Sequence, residues 1–336
     1  MNNIHSNTQV LLFQHLKTLL APHLSMVDEV AEVLNISADS AYRRIRGEKP
    51  LSLDEIRAIS MRYNMSLDQF LHIKTDSILF SGKMVQNKEN AFEEWLDNLL
   101  YQLGFMGKFP KKHMYWLLKD IPPISHFHIR ELALFKFYMW TKSILHYDSM
   151  KGVKFDLEDS RYEKYLQKSN MVLEGFSQIP ITEIWNIESI NSSLRQIRFH
   201  YEAGSFRSST DVILLLNKLR QLIDHFELQA EAGVKFKVGA NPSTSNVPYR
   251  MFVNELILGD NTTFFDAGDL KLTFLNHSVL HFIYTRDERF NKIIFENLEN
   301  LMKKSTMISS VSEKERNAFF NTLRDQIDQA VRYIKL

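Results

Sequence analysis

The chain has 336 residues, 44% hydrophobic and 24% charged, a globular composition that excludes fibrous and disordered classes and suggests two or three domains. Its 41 lysines and arginines against 40 acids leave a net charge of +1, so no global field draws nucleic acid, and affinity for it has to come from local charge. Cysteine is absent, which removes disulfides, thiolate metal sites and cysteine nucleophiles together.

Helix punctuation is dense at the start of the chain. A first helix, about Gln9 to Leu20, stops before Pro22, because proline disfavours the α conformation in the residue before it. Ser25 caps a second helix, about Met26 to Leu34, and Ser37 a short third, Ala38 to Arg46. Gly47 ends the third by accepting a left-handed backbone, and Pro50 prevents its continuation. Ser52 with Glu55, and Ser66 with Gln69, match the S-x-x-E/Q capping box and open a fourth and a fifth helix. Between them Ile56, Ile59 and Tyr63 form an apolar stripe, and Asn64 is the stop. A five-helix domain over residues 1–75 is expected, followed by a polar, irregular linker at 76–90.

Residues 91–336 carry long helical patterns at about 91–105, 111–119, 127–146, 157–177, 187–202, 210–232, 288–304 and 313–334. Gly233 ends the sixth of these. The aromatic run FHIRELALFKFYMW, 127–140, is apolar on most faces and reads as buried core. β-Branched and aromatic residues separated by Gly, Asp and Asn turn signals imply a small antiparallel β-meander at about 248–285. The expected fold is therefore mainly α, an all-alpha frame whose larger helical region carries one small meander.

The unit VAEVLNISADSAYRRIRGEKP, residues 30–50, places two helices about a tight turn at Asn35 and Ile36. In its second helix Ala41 and Ile45, four apart, face inward, whereas Asp39, Tyr42, Arg43 and Arg46 share another side and Ala38 lies at the boundary. Such a helix fits the major groove with its N-terminal residues on base edges. Arg43 suits guanine and Asp39 the amino group of cytosine, while Arg44, Arg46 and Lys49 suit phosphates. With the short groups of Ser37 and Ser40 at the helix start, the candidate DNA-binding set is Ser37, Ala38, Asp39, Ser40, Tyr42, Arg43, Arg44, Arg46 and Lys49.

On VAEVLNIS, SAYRRIRGEKPLSLDEIRAIS and YNMSLDQFL, residues 9–72 resemble the lambda-repressor-like, or Xre/Cro-type, helix-turn-helix family. The resemblance implies base contacts at Ala38, Asp39 and Arg43, and backbone proximity for Tyr42, Arg46 and Lys49. Many members hold a phosphate with a polar residue near the start of the second helix, where this chain has Met26, Val27 and Asp28. The region beyond residue 90 resembles no family.

Twelve histidines invite a metal hypothesis, but neither HFH at 126–128 nor HSVLH at 277–281 contains the glutamate of H-E-x-x-H. No phosphate-binding loop, dinucleotide loop or nucleophile elbow is present. No enzyme activity, cofactor or metal is expected. The start MNNIHSNTQV lacks a basic and an apolar signal region, and no stretch has ~18 consecutive apolar residues, so a cytoplasmic protein without membrane contact is expected. The expected partner is double-stranded DNA bound by a homodimer, with residues 91–336 supplying dimerisation or sensing of a small-molecule or peptide effector. The alternative is a protein-interaction or antitoxin-like module joined to a scaffold or an unrecognised enzyme.

Overall fold

The computed structural model describes residues 8–20, 24–63, 65, 78–82, 89–256, 259–278 and 280–335. Its packing separates two compact units, Met1–Leu79 and Phe80–Leu336.

In the first unit, helices α1 (Thr8–Leu19), α2 (Met26–Leu34), α3 (Ala38–Ile45) and α4 (Leu53–Arg62) follow the punctuation of the sequence. The Ser25 and Ser37 side chains accept from the backbone N–H groups of Asp28 and Ser40, at 3.4 and 3.3 Å. Both halves of the capping box at Ser52 and Glu55 are formed, which satisfies two donors at the start of α4. Asn35 (φ 50°) and Gly47 (φ 76°) take the left-handed turns that let α2 and α3 stop within two residues. Phe13, Leu16, Val30, Ala41 and Ile59 close a small core. The expected fifth helix, from Ser66 and Gln69, and the stop at Asn64 lie outside the described residues.

The second unit is organised by a sheet. Strands β1 (His113–Leu117), β2 (Ile181–Trp185), β3 (Tyr249–Val253), β4 (Thr262–Asp266), β5 (Lys271–Asn276), β6 (Phe282–Thr285) and β7 (Thr306–Met307) lie in the order β6-β5-β4-β1-β2-β3-β7. β1, β2 and β3 run parallel at its centre, with Met114 opposite Ile181 and Ile181 opposite Tyr249, and the remaining pairs are antiparallel. Helices α5 (Ala91–Gly107), α6 (Pro123–His126), α7 (Arg130–Met139), α8 (Glu163–Ser177), α9 (Asn191–Glu202), α10 (Ser209–Ala232), α11 (Glu288–Lys303) and α12 (Glu313–Lys335) complete it. One sheet face, with Met114, Ile181, Trp185, Met251 and Phe265, joins the large core beneath α5, α7, α8, α10 and α12. The other, with Leu117, Ile184, Phe252 and Phe264, packs under α11 through Phe295 and Leu298. Gly233 ends α10 at φ 68°, and a Cβ there would lie 2.3 Å from Ser310 Oγ, so that turn requires glycine.

This overturns the mainly-α, all-alpha expectation, because the architecture holds a seven-stranded mixed sheet. Residues 113–117 are strand β1 rather than part of a helix at 111–119. Strand β2 carries no alternation, since all five of its residues are buried; a parallel strand covered on both faces has no polar side to betray it. The expected meander at 248–285 divides in two. β4, β5 and β6 form an antiparallel run, whereas β3 joins the parallel centre beside β2. Within the stretch read as linker, Ser81 pairs with Tyr284 through reciprocal backbone bonds of 2.7 and 2.8 Å and Phe80 stands edge-on to Phe290. Leu132–Trp140 is buried, with a π-turn at Trp140–Ile144. Among the described residues, no helix is long and apolar enough to cross a membrane.

Candidate nucleic-acid interface

Helix α3 is fixed at both ends and along its back. Ala41, fully buried, and the half-buried Ile45 turn toward the unit's core. Three residues after Ala41 comes Arg44, on the same side of the helix, and its side chain is only 6% exposed. Arg44 Nη2 donates to Glu55 Oε1 at 2.5 Å, and Nη1 to the carbonyl of Ser40 at 3.2 Å. The second oxygen of Glu55 accepts the Ser52 backbone N–H at 2.9 Å. Arg44 holds the Glu55 carboxyl below the ordinary carboxylate range through that hydrogen bond. The expected phosphate contact of Arg44 is therefore corrected, because its charge is neutralised inside the unit and locks α3 against α4.

The opposite face is open. Ser37, Ala38, Asp39, Tyr42, Arg43, Arg46 and Lys49 are exposed, and Ser40 is half-buried. Ser37 is engaged as the cap of α3. Tyr42 is 49% exposed, with the Arg46 guanidinium carbon 5.6 Å from its ring centre. Arg46 also reaches Glu48, Nε to Oε1 at 3.2 Å, in a solvent-exposed pair that screening keeps weak. Among the described residues Arg43 makes no ion pair or side-chain hydrogen bond, so its five donors face outward uncommitted. The face thus presents Arg43, Arg46 and Lys49, tempered by Asp39 and Glu48.

A residue not identified from the sequence shapes this face. Gln9, on α1, donates through Nε2 to the carbonyls of Arg44 and Lys49, both at 2.7 Å, and accepts from the Leu51 N–H at 2.9 Å. One amide thereby fastens the end of α3 and the basic turn that carries Lys49. No sequence period marks Gln9, which makes its contacts across 35 to 42 residues. Arg44 was findable, since a residue three after an inward alanine shares its side. On α2, Met26 and Val27 pack against the small core, and Glu29 accepts from the Tyr63 hydroxyl at 2.8 Å. That hydrogen bond, after burial itself, pushes the Tyr63 hydroxyl up to about 12.

The discounted histidines sit in the second unit. His126 has both ring nitrogens occupied, by the Pro122 carbonyl and Ser193 Oγ at 3.1 and 2.9 Å, and the His277 and His281 rings stack at 5.9 Å. Among the described residues no three His, Asp or Glu side chains gather as a metal site. No family model, curated protein or solved structure matches the chain.

Proposed function

We propose that the chain is a sequence-specific, double-stranded-DNA-binding transcription regulator that places α3 in the major groove. The observation that carries this reading is Arg43, exposed and uncommitted on the outer face of a helix rigidly held from behind. A guanidinium so placed matches the two acceptors on the major-groove edge of guanine. Asp39, one turn nearer the helix start, suits the amino group of cytosine. Tyr42, Arg46 and Lys49 flank the backbone and set register without specifying bases. Ser37, Ala38 and Ser40 offer a start small enough for close approach.

Three exposed cations beside two acids give modest salt-dependent attraction, so affinity draws on two copies. Two recognition helices one DNA turn apart, about 34 Å, require a two-fold homodimer. We assign that pairing and any signal sensing to Phe80–Leu336, with no catalytic role.

The test is selection from a random double-stranded library by full-length protein at stated salt, repeated with Arg43→Ala. The expected outcome is an enriched two-fold site whose affinity falls about 10- to 100-fold in the variant. Lys49→Ala should lower affinity evenly across sequences and reduce the salt slope by about 1. No enrichment by folded protein at low salt would replace this reading with the protein-interaction module.

A further inference from the structure

The second unit contains a cavity of about 120 Å³, partly open to solvent, between α5 and the sheet, walled by Trp95, Leu103, Met106, Trp116, Phe176 and Phe274. Close-packed interiors leave few voids larger than a water, and apolar space on the order of 150 Å³ accepts a benzene-sized guest. Among the described residues no Asp, Glu, Lys, Arg or His lines it, so a charge held inside it would lose its hydration with no counter-charge to replace it.

Its polar lining consists of Gln102, Asn261, Thr263 and Asn276, and two of these carboxamides have spare capacity. Asn261 Oδ1 accepts from the backbone N–H groups of Lys119 and Asp120, at 2.8 and 3.2 Å. This fixes the amide and leaves its Nδ2 as a donor with no partner among the described residues. Gln102, half-buried, makes no side-chain hydrogen bond among them. On α5, Trp95, Leu99, Gln102 and Met106 fall at i, i+4, i+7 and i+11, one stripe of the helix. The other three positions of that stripe are apolar, and Gln102 brings an amide to it. Flat aromatic walls with an adaptable methionine suit a planar guest.

We propose that this cavity binds a small, neutral aromatic molecule bearing one hydrogen-bonding substituent, with the ring against Trp95 and the Trp116–Phe176 pair, whose own rings pack together at 5.3 Å, and the substituent toward Gln102 and Asn261. This binding does not rest on α3 contacting DNA, and its test contains none.

The probe is 4-fluorophenol, followed by fluorine NMR line broadening on the full chain, with 4-fluorobenzoate as the charged counterpart. The expected results are a Kd of roughly 0.1–1 mM for the phenol and at least about tenfold weaker binding of the benzoate. Leu99→Trp, which puts an indole into the space, should abolish binding without lowering the thermal midpoint. Met106→Phe takes its place should that variant fail to fold. Gln102→Leu should weaken the phenol by about threefold to tenfold and leave fluorobenzene unchanged. Absence of broadening with folded wild-type protein near the solubility of the probe, equal binding of the benzoate, or undiminished binding in a folded cavity-filled variant would each overturn the proposal.

Discussion

In the N-terminal unit one ion pair, Arg44 with Glu55, is drawn away from water, Glu29 is half-buried against the Tyr63 hydroxyl, and the other charges of α2 and α3 stand at the surface. The C-terminal unit instead encloses His126, Lys136, Glu183, His200, His225 and Lys235. Lys136 Nζ rests on Gln196 Oε1 at 2.6 Å, and burial pushes its ammonium down to about 7. Glu183 Oε2 accepts from Trp185 Nε1 and the Tyr249 hydroxyl, both at 2.7 Å, while burial pushes its carboxyl up. The first unit is therefore held by caps, one locked pair and a small core, contacts that respond weakly to protons near neutrality. The second is held by a deep core in which ionisable groups stay neutral or are bound to fixed dipoles, which couples its stability to pH.

Acid is the strongest way to sharpen that contrast. Burial holds the imidazoles of His113, His200 and His225 at about 4 and that of His128 at about 3, below the free value of 6.5. The unfolded chain therefore takes up protons that these imidazoles refuse in the fold, so their contribution to stability is complete above pH 6.5 and drains as pH falls toward 4. Several kcal/mol should be lost from the second unit. All four tryptophans, Trp95, Trp116, Trp140 and Trp185, lie in that unit, so their fluorescence reports on it alone. In the first unit Glu55 is held below 4.5 and its contribution is lost only beneath that value. Hydrogen exchange of residues 26–62 should hold steady between pH 6.5 and 4.5, and a parallel loss there would break the comparison.

Phe264→Ala, in the fully buried wall under α11 whose ring stacks on Phe295 at 5.1 Å, should cost the second unit about 3–5 kcal/mol, read by tryptophan fluorescence in urea. Arg44→Ala should cost the first unit about 2 kcal/mol, since Glu55 keeps part of its hydration, whereas Arg43→Ala should stay within about 0.5 kcal/mol. The two arginines are adjacent, so equal losses would refute the division of α3 into a locked and an open side. Between the two arginines falls Ser52→Ala, which removes one half of the capping box on α4 and should cost about 1 kcal/mol by hydrogen exchange of residues 53–62.

The legibility of these regions follows the span of their contacts. The limits of α3 are written by Ser37 and Gly47, within reach of the helix itself, so they can be read locally. β2 takes its identity from Met114 and Tyr249 opposite Ile181, each 67 or 68 residues away, counting 181 − 114 and 249 − 181. Its short, wholly buried run ITEIW resembles any interior segment until those neighbours are known. β1 is ambiguous on local grounds, because HMYWL carries an aromatic and aliphatic spacing compatible with either period. The outer residues of α3 were legible as a face. The inward side of Arg44 follows from its spacing to Ala41, whereas its partner Glu55, eleven residues on, and the partners of Gln9 lie on separate elements.

Gln9 also orders events in time. It is synthesised before the backbone groups it grips, from Arg44 to Leu51, which emerge roughly forty residues later. Until that amide closes a loop of this length, with the entropy such closure costs, the turn bearing Lys49 lacks its fixed course. Unseating the first turn of α1 and lengthening the turn between Gly47 and Leu51 are thus injuries to the same joint, although one lies on α1 and the other beside the open face of α3.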